Sequence, residues 1–137
     1  MSKINAYLTF NGNCREAMTF YKKCLGGELS FQTIGESPLS ETMPPKMKKC
    51  ILHSVLTNKE FVLMGSDMVG EKGLLKGNAV SLVFNCTSEK EIRTCYEKLS
   101  RDGEQTQPLK DTFWHALSGD LTDKYGNTWM LNYNGSK

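Results

Sequence analysis

AYLTFNGNCREAMTFYKKCLGGE, residues 6–28, contains a strand, a break, a helix and a stop. Residues 4–10 are rich in β-branched and aromatic side chains, the composition of a strand. Asn11-Gly12-Asn13 interrupts them. Asn13 followed by Glu16 has capping-box spacing, and this predicts a helix with Ala17, Met18, Tyr21 and Leu25 on one face. Gly26-Gly27 ends it, because glycine tolerates the left-handed backbone at a helix exit.

The same order returns further along. Ala79 to Cys86 reads as a strand, Ser88 with Glu91 as a second capping box, and Ile92, Cys95, Tyr96 and Leu99 as an amphipathic stripe stopped by Gly103. Phe10-Asn11 matches Phe84-Asn85, Met18 matches Ile92 and Leu25 matches Leu99, all at an offset of 74; Gly27-Glu28 matches Gly103-Glu104 at 76. Three strands follow each helix, at 28–34, 49–57 and 60–65 in the first copy and at 104–113, 115–122 and 127–133 in the second. The segment Glu36 to Lys48 contains Pro38, Pro44 and Pro45, so it is not regular throughout; it reads as a mobile loop or a lid. Ser66 to Asn78, with Gly70, Gly73 and Gly77, is a linker. Internal duplication decides the fold class. It is α+β: one domain, 1–137, of two βαβββ modules, 1–70 and 77–137, each sheet covered on one face by its helix. Two such sheets placed edge to edge form a curved mixed sheet around a cavity, where small-molecule sites tend to form.

Composition narrows the partners. A hydrophobic share of 39% with 23% charged residues is that of an ordinary globular chain. Seventeen Lys and Arg against fifteen Asp and Glu leave a net charge of +2, too little for the basic face that nucleic acid requires. The longest near-apolar runs, such as Phe61 to Met64, fall far short of the roughly 20 residues that span a bilayer. No apolar stretch near the N-terminus has signal-peptide length, so the expectation is a cytoplasmic protein without membrane or nucleic-acid partners. Five cysteines (Cys14, Cys24, Cys50, Cys86, Cys95) form no C-x-x-C pair and read as buried free thiols, in keeping with a reducing compartment.

Three ordered strings carry a family resemblance: the opening stretch, CILHSVLTNKEFVLMGSD at 50–67 and FWHALSGDLTDKYGNTWMLNY at 113–133. Together they resemble PhnB-like proteins of the vicinal oxygen chelate superfamily, which also contains glyoxalase I, bleomycin-resistance proteins and extradiol dioxygenases. The resemblance spans essentially the whole chain. It implies a glyoxalase-like fold of paired βαβββ modules and a homodimer, to which open sheet edges also point.

Metal-dependent members of that superfamily place His, Glu or Gln on the first and last strands of each module. Here those positions fall at Asn5, Ala6 or Tyr7 and near Leu63 or Met64, then at Ala79 and Met130. None is a His or an acid, and a thioether is unsuited to Zn, Fe, Mn or Mg in such a site. The reading is therefore no metal and no cofactor. Many PhnB-like proteins are described as 3-demethylubiquinone methyltransferase-like. The sequence has no glycine-rich turn after a strand with a following acid to hold an adenosyl cofactor, since Gly26-Gly27 follows a helix.

His53 lies on a strand where Ile51, His53 and Val55 share one face. It has two readings: a polar group in the cavity, able to act as base or hydrogen-bond donor near neutral pH, or a satisfied surface histidine. The resemblance favours the cavity, because a matching His and the Met-x-x-Asp of Met64 and Asp67 recur among PhnB-like sequences. Asp67 equally suits a turn cap. Trp114, His115 and Met130, with Tyr7, complete the expected ligand contacts; core packing is the alternative for the aromatics. Asp123-Lys-Tyr-Gly126-Asn127 is a turn, with Gly126 there for positive φ. The leading expectation is a small organic molecule bound in a metal-free cavity, with His53 as main polar contact and sole catalytic candidate. Two alternatives stand beside it: a metal-dependent lyase or dioxygenase using His53, His115 and Asp67, and a dimeric scaffold without ligand.

Overall fold

The computed structural model describes residues 2–112 and 116–135. The chain divides into two compact units, Met1–Leu75 and Lys76–Lys137. In the first, β1 (Ala6–Thr9) leads to α1 (Cys14–Leu25), then β2 (Glu28–Thr33), β3 (Ile51–Thr57) and β4 (Val62–Ser66). In the second, β5 (Leu82–Cys86) leads to α2 (Glu89–Ser100), then β6 (Glu104–Asp111), β7 (Ala116–Thr122) and β8 (Thr128–Asn134). Each unit folds into a four-stranded mixed sheet of one topology, β1-β4-β3-β2 and β5-β8-β7-β6. The first strand of each lies parallel to the last, and the other pairs are antiparallel. The α+β class and the paired βαβββ modules are therefore as the sequence predicts.

The cores follow from the two amphipathic helices. α2 buries Ile92, Cys95, Tyr96 and Leu99, the four predicted residues. α1 buries Ala17, Met18 and Tyr21 as expected, but Cys14 and Cys24 complete its buried face and Leu25 stands at the margin. Four cysteines (14, 24, 86 and 95) are buried thiols outside any disulfide, and Cys50 is a half-buried thiol outside any disulfide. Burial disfavours the thiolate and pushes Cys14 up to about 11 and Cys86 to about 12.

The helix ends correct two local expectations. Ser88 caps α2 by accepting from the Glu91 N–H at 3.0 Å, while the Glu91 carboxylate accepts from the Thr87 N–H at 2.7 Å. The Asn13 side chain makes no cap hydrogen bond to α1. After α2 the left-handed residue is Asp102, at φ 62°, rather than Gly103. Gly103 is there for space: a Cβ would run into the Thr122 carbonyl oxygen. Its counterpart Gly27 presses on β3 in the same way, where a Cβ would lie 2.5 Å from the Thr57 carbonyl oxygen.

The proline-containing segment is neither featureless nor one element. It forms three short 3-10 turns, Ile34–Glu36, Pro38–Glu41 and Pro45–Met47. Its ends are drawn together by Ile34 N–H to Cys50 O at 3.0 Å and Gly35 N–H to Lys48 O at 2.9 Å. Among the described residues, no helix is long and apolar enough to cross a membrane.

Candidate functional site

Successive residues of a strand point to opposite faces of its sheet, so one buried contact fixes the direction of all its neighbours. A Cβ at Gly65 would lie 3.1 Å from Met18 Sδ and from Phe10 Cε2, so Gly65 faces α1. Its neighbour Met64 therefore faces away, together with its register partners Tyr7 on β1 and Val55 on β3. Ser54 is buried on the helix side, which turns His53 to the same open face, beside Gln32 on β2. There the Tyr7 and His53 rings stack with centroids 5.9 Å apart and planes 27° from parallel. Tyr7 is 51% exposed, and neither its hydroxyl nor the His53 imidazole hydrogen-bonds to a described residue. A phenol and an imidazole with unsatisfied polar atoms can donate and accept hydrogen bonds and, at the imidazole, exchange a proton.

Asp67 holds this part of the sheet in place. Its Oδ1 accepts from the backbone N–H groups of Gly12 at 3.0 Å and Cys14 at 2.9 Å, and its Oδ2 from that of Ile51 at 2.8 Å. The Asp67 N–H returns a 2.8 Å bond to the Ile51 carbonyl. One carboxylate thus fastens the exit from β1, the first turn of α1, the start of β3 and the end of β4. It also supplies the negative charge that a helix N-terminus favours, where the sequence suggested Asn13. Both its oxygens serve backbone groups, which is the capping alternative for this residue. Beneath it, Ser54 Oγ donates to the Gly65 carbonyl at 2.8 Å and lies 3.4 Å from Cys14 Sγ. With the hydroxyl proton directed to Gly65, the thiol is left as donor to Ser54.

The second sheet repeats the layout with other side chains. A Cβ at Gly119 would lie 3.0 Å from Tyr96 Cε2, so Gly119 faces α2 and its neighbours Ser118 and Asp120 face away. Asp120 is in register with Met130, which is in register with Val83. Ser118, Asn132 and Asn85 form the next row, with Asn132 Nδ2 3.4 Å from Asn85 Oδ1. Met130 is 38% exposed and Val83 54%. Trp129 points the other way and is buried, its indole N–H donating to Asp123 Oδ2 at 2.8 Å. Asp123 Oδ1 accepts from the N–H groups of Tyr125 at 2.9 Å and Asn127 at 3.1 Å, and Gly126 has φ 88°, so this segment is the predicted turn. Trp114 and His115 lie outside the described residues.

The register decides which residues occupy the positions that the sequence resemblance marks for metal ligands. In the first unit the open-face pair is Tyr7 with Met64, since Ala6 and Leu63 share the helix side and Asn5 precedes β1. In the second it is Val83 with Met130; Ala79 precedes β5 and is replaced in this comparison by Val83. A phenol, two thioethers and an isopropyl group do not fit a hard or borderline divalent ion. Among the described residues, no three His, Cys, Asp or Glu side chains converge to hold an ion.

Similarity to known proteins agrees with this architecture. The sequence profile of the 3-demethylubiquinone-9 3-methyltransferase family matches residues 2–132. Protein PA1353 from Pseudomonas aeruginosa is 36% identical, with a TM-score of 0.85 over 99% of this chain and 100% of that one. The PhnB protein from Bacillus cereus is 29% identical, with a TM-score of 0.73 over 96% and 99%. A glyoxalase-related enzyme from Fulvimarina pelagi, 18% identical with a TM-score of 0.62 over 99% and 96%, shares the fold.

Proposed function

This chain belongs to the PhnB-like 3-demethylubiquinone-9 3-methyltransferase family, and from that premise we propose that it binds a small organic molecule without a metal, on the open face of its first sheet. His53 is the main polar contact, with Tyr7 and Met64 beside it. One observation carries the reading: a stack of the half-exposed Tyr7 ring on the half-buried His53, whose polar atoms hydrogen-bond to no described residue, on a sheet face that its own helix leaves uncovered. Asp67 enters it as the residue that keeps the strand ends in register. The family description names methyl transfer, and no glycine-rich turn after a strand supports an adenosyl site here. Binding is accordingly the function proposed, with no reaction assigned.

Ligand binding to the native state alone raises the unfolding temperature. A screen of small organic molecules against the wild-type chain and a His53→Ala variant tests the proposal. Compounds that stabilise the wild type and lose that effect in the variant are the expected outcome. Stabilisation that survives loss of His53 removes the assignment of this residue, and silence across a broad library favours a ligand-free scaffold. A homodimer belongs to the same proposal, supported by β1 and β5, short edge strands without charged side chains; sedimentation showing only monomer removes it.

A further inference from the structure

The open face of the first sheet has a distinct chemistry. Reading across it in register, Tyr7, Met64, Val55 and Ser30 form one row, while Gln32 and His53 pair in the next row on β2 and β3. Thr9 and Ser66 pair beside them on β1 and β4. No lysine, arginine or aspartate stands among these residues, and Glu28 lies at the far end of β2. A fully charged ligand group pressed onto this face would give up water without meeting an opposite fixed charge, a costly exchange.

The stacking geometry restricts the ligand further. Carbon atoms in contact sit about 3.5–4.0 Å apart, so a ring inserted between two others needs roughly 7 Å or more. Tyr7 and His53 have centroids 5.9 Å apart, so no ring fits between them. The available apolar surface is the half-exposed Tyr7 ring with Met64 in register next to it, and a thioether beside an aromatic ring suits a second aromatic group. The polar atoms lie beside that surface: the Tyr7 hydroxyl and the two His53 nitrogens, none hydrogen-bonded to a described residue.

We propose that the group received here is an uncharged planar ring, aromatic or heteroaromatic, lying over Tyr7 and Met64 with a hydrogen-bonding substituent turned toward His53. This rests on the reading of the first sheet as a ligand face and adds the class of ligand to it. The substituent is an amide, hydroxyl or carbonyl rather than a carboxylate or an amine. The equivalent row of the second sheet, Val83, Met130 and Asp120, has no ring and carries an acid, so it does not share this preference.

Three matched probes test the proposal on the full chain, labelled with carbon-13 at Met methyl groups and at His and Tyr rings. Benzamide is planar and neutral, cyclohexanecarboxamide keeps the amide without the flat ring, and benzoate keeps the ring with a charge. Benzamide is expected to shift the Met64, Tyr7 and His53 signals with ring-current character and to bind about fivefold or more tightly than either other probe. Tyr7→Leu is expected to remove that advantage while Val83→Leu retains it. If cyclohexanecarboxamide binds as well as benzamide at these residues, the planar ring is wrong, and if benzoate does, the absence of charge is wrong; in either case the ligand face stands. If all three leave these signals unmoved, the ligand face itself fails, and the proposal with it.

Discussion

The two sheets are alike on the side that meets a helix and unlike on the other. Under α1 lie Leu56 and Leu63; under α2 lie Leu121, Trp129 and Leu131, all buried. Gly27 and Gly103 bring the two helix exits against the same kind of strand carbonyl, at Thr57 and Thr122. On the open side, Tyr7, Met64 and Val55 in the first unit stand against Val83, Met130 and Asp120 in the second. Only the methionine is shared. Packing against a helix constrains size and polarity closely, because protein interiors are dense. The open face has no such constraint, so the units differ most where a ligand would be chosen.

The largest expected effects come from two carboxylates that do similar work in different places. Asp67 serves three backbone N–H groups, and Asp123 serves two plus the Trp129 indole. Alanine at either position leaves at least three donors without their acceptor, and buried unsatisfied donors cost about 1–3 kcal/mol each. Some are rescued by water, so a loss of about 3 kcal/mol in denaturant unfolding is expected for each variant. Asp123 is only 3% exposed, and its replacement should be the more damaging. A loss under about 1 kcal/mol at Asp67 would mean that water substitutes for it and that it does not hold the strand ends.

The paired glycines come next. Alanine at Gly27 or Gly103 forces the backbone away from a strand carbonyl, and each should cost about 2 kcal/mol. Gly27 should cost more, because its φ of 107° adds conformational strain to the collision. Gly12, at φ 96° with nothing near its missing Cβ, supplies the control for strain alone, at about 1 kcal/mol. A loss at Gly27 no larger than that at Gly12, with little or none at Gly103, would assign the effect to backbone conformation and break the parallel between the helix exits.

Most of the fold was legible because its signals are local. Period-two and period-3.6 patterns located the strands and both helices, and the repeated order of elements identified the duplication. What escaped were partners distant in sequence. The acceptor for the first turn of α1 is Asp67, 53 residues beyond Cys14, so Asn13 and Glu16 looked sufficient. Tyr7 and His53 meet because β4 is inserted between β1 and β3, and no pattern inside either strand reports that order. The alternation of β4 did contain the direction of Met64, once Gly65 was known to face the helix. Ala79 lies just ahead of β5, and register with β8, not position along the repeat, selects Val83.

The thiols provide a smaller test that reaches both units. Cys14 in the first, and Cys86 and Cys95 in the second, are raised from an ordinary 9.0 to about 11, 12 and 11, chiefly by burial. A raised thiol favours the folded state fully below pH 9, and that contribution is lost as pH climbs toward the folded values. Stability measured by denaturant should therefore fall between pH 9 and about 12, and a Cys86→Ala variant should fall less steeply. Iodoacetamide on the native chain at pH 8 should label Cys50 first, as the one half-buried thiol. Early labelling of Cys86 or Cys95, read by mass spectrometry, would show that the second unit opens more readily than the first.

The smallest expected effect on stability separates packing from recognition. Tyr7→Leu and Val83→Leu alter matched open-face positions that are 51% and 54% exposed, where substitutions usually change stability by less than about 0.5 kcal/mol. The Tyr7–His53 stack adds little, since an aromatic pair is worth about 0.5–1.5 kcal/mol and this one is half in water. Both variants should unfold within about 0.5 kcal/mol of the wild type, and only the Tyr7 variant should lose affinity for a planar ligand. A destabilisation above about 1 kcal/mol at Tyr7 alone would make the ring a packing element of the first sheet. The unlike faces would then reflect two ways of covering a sheet rather than a site in one of them.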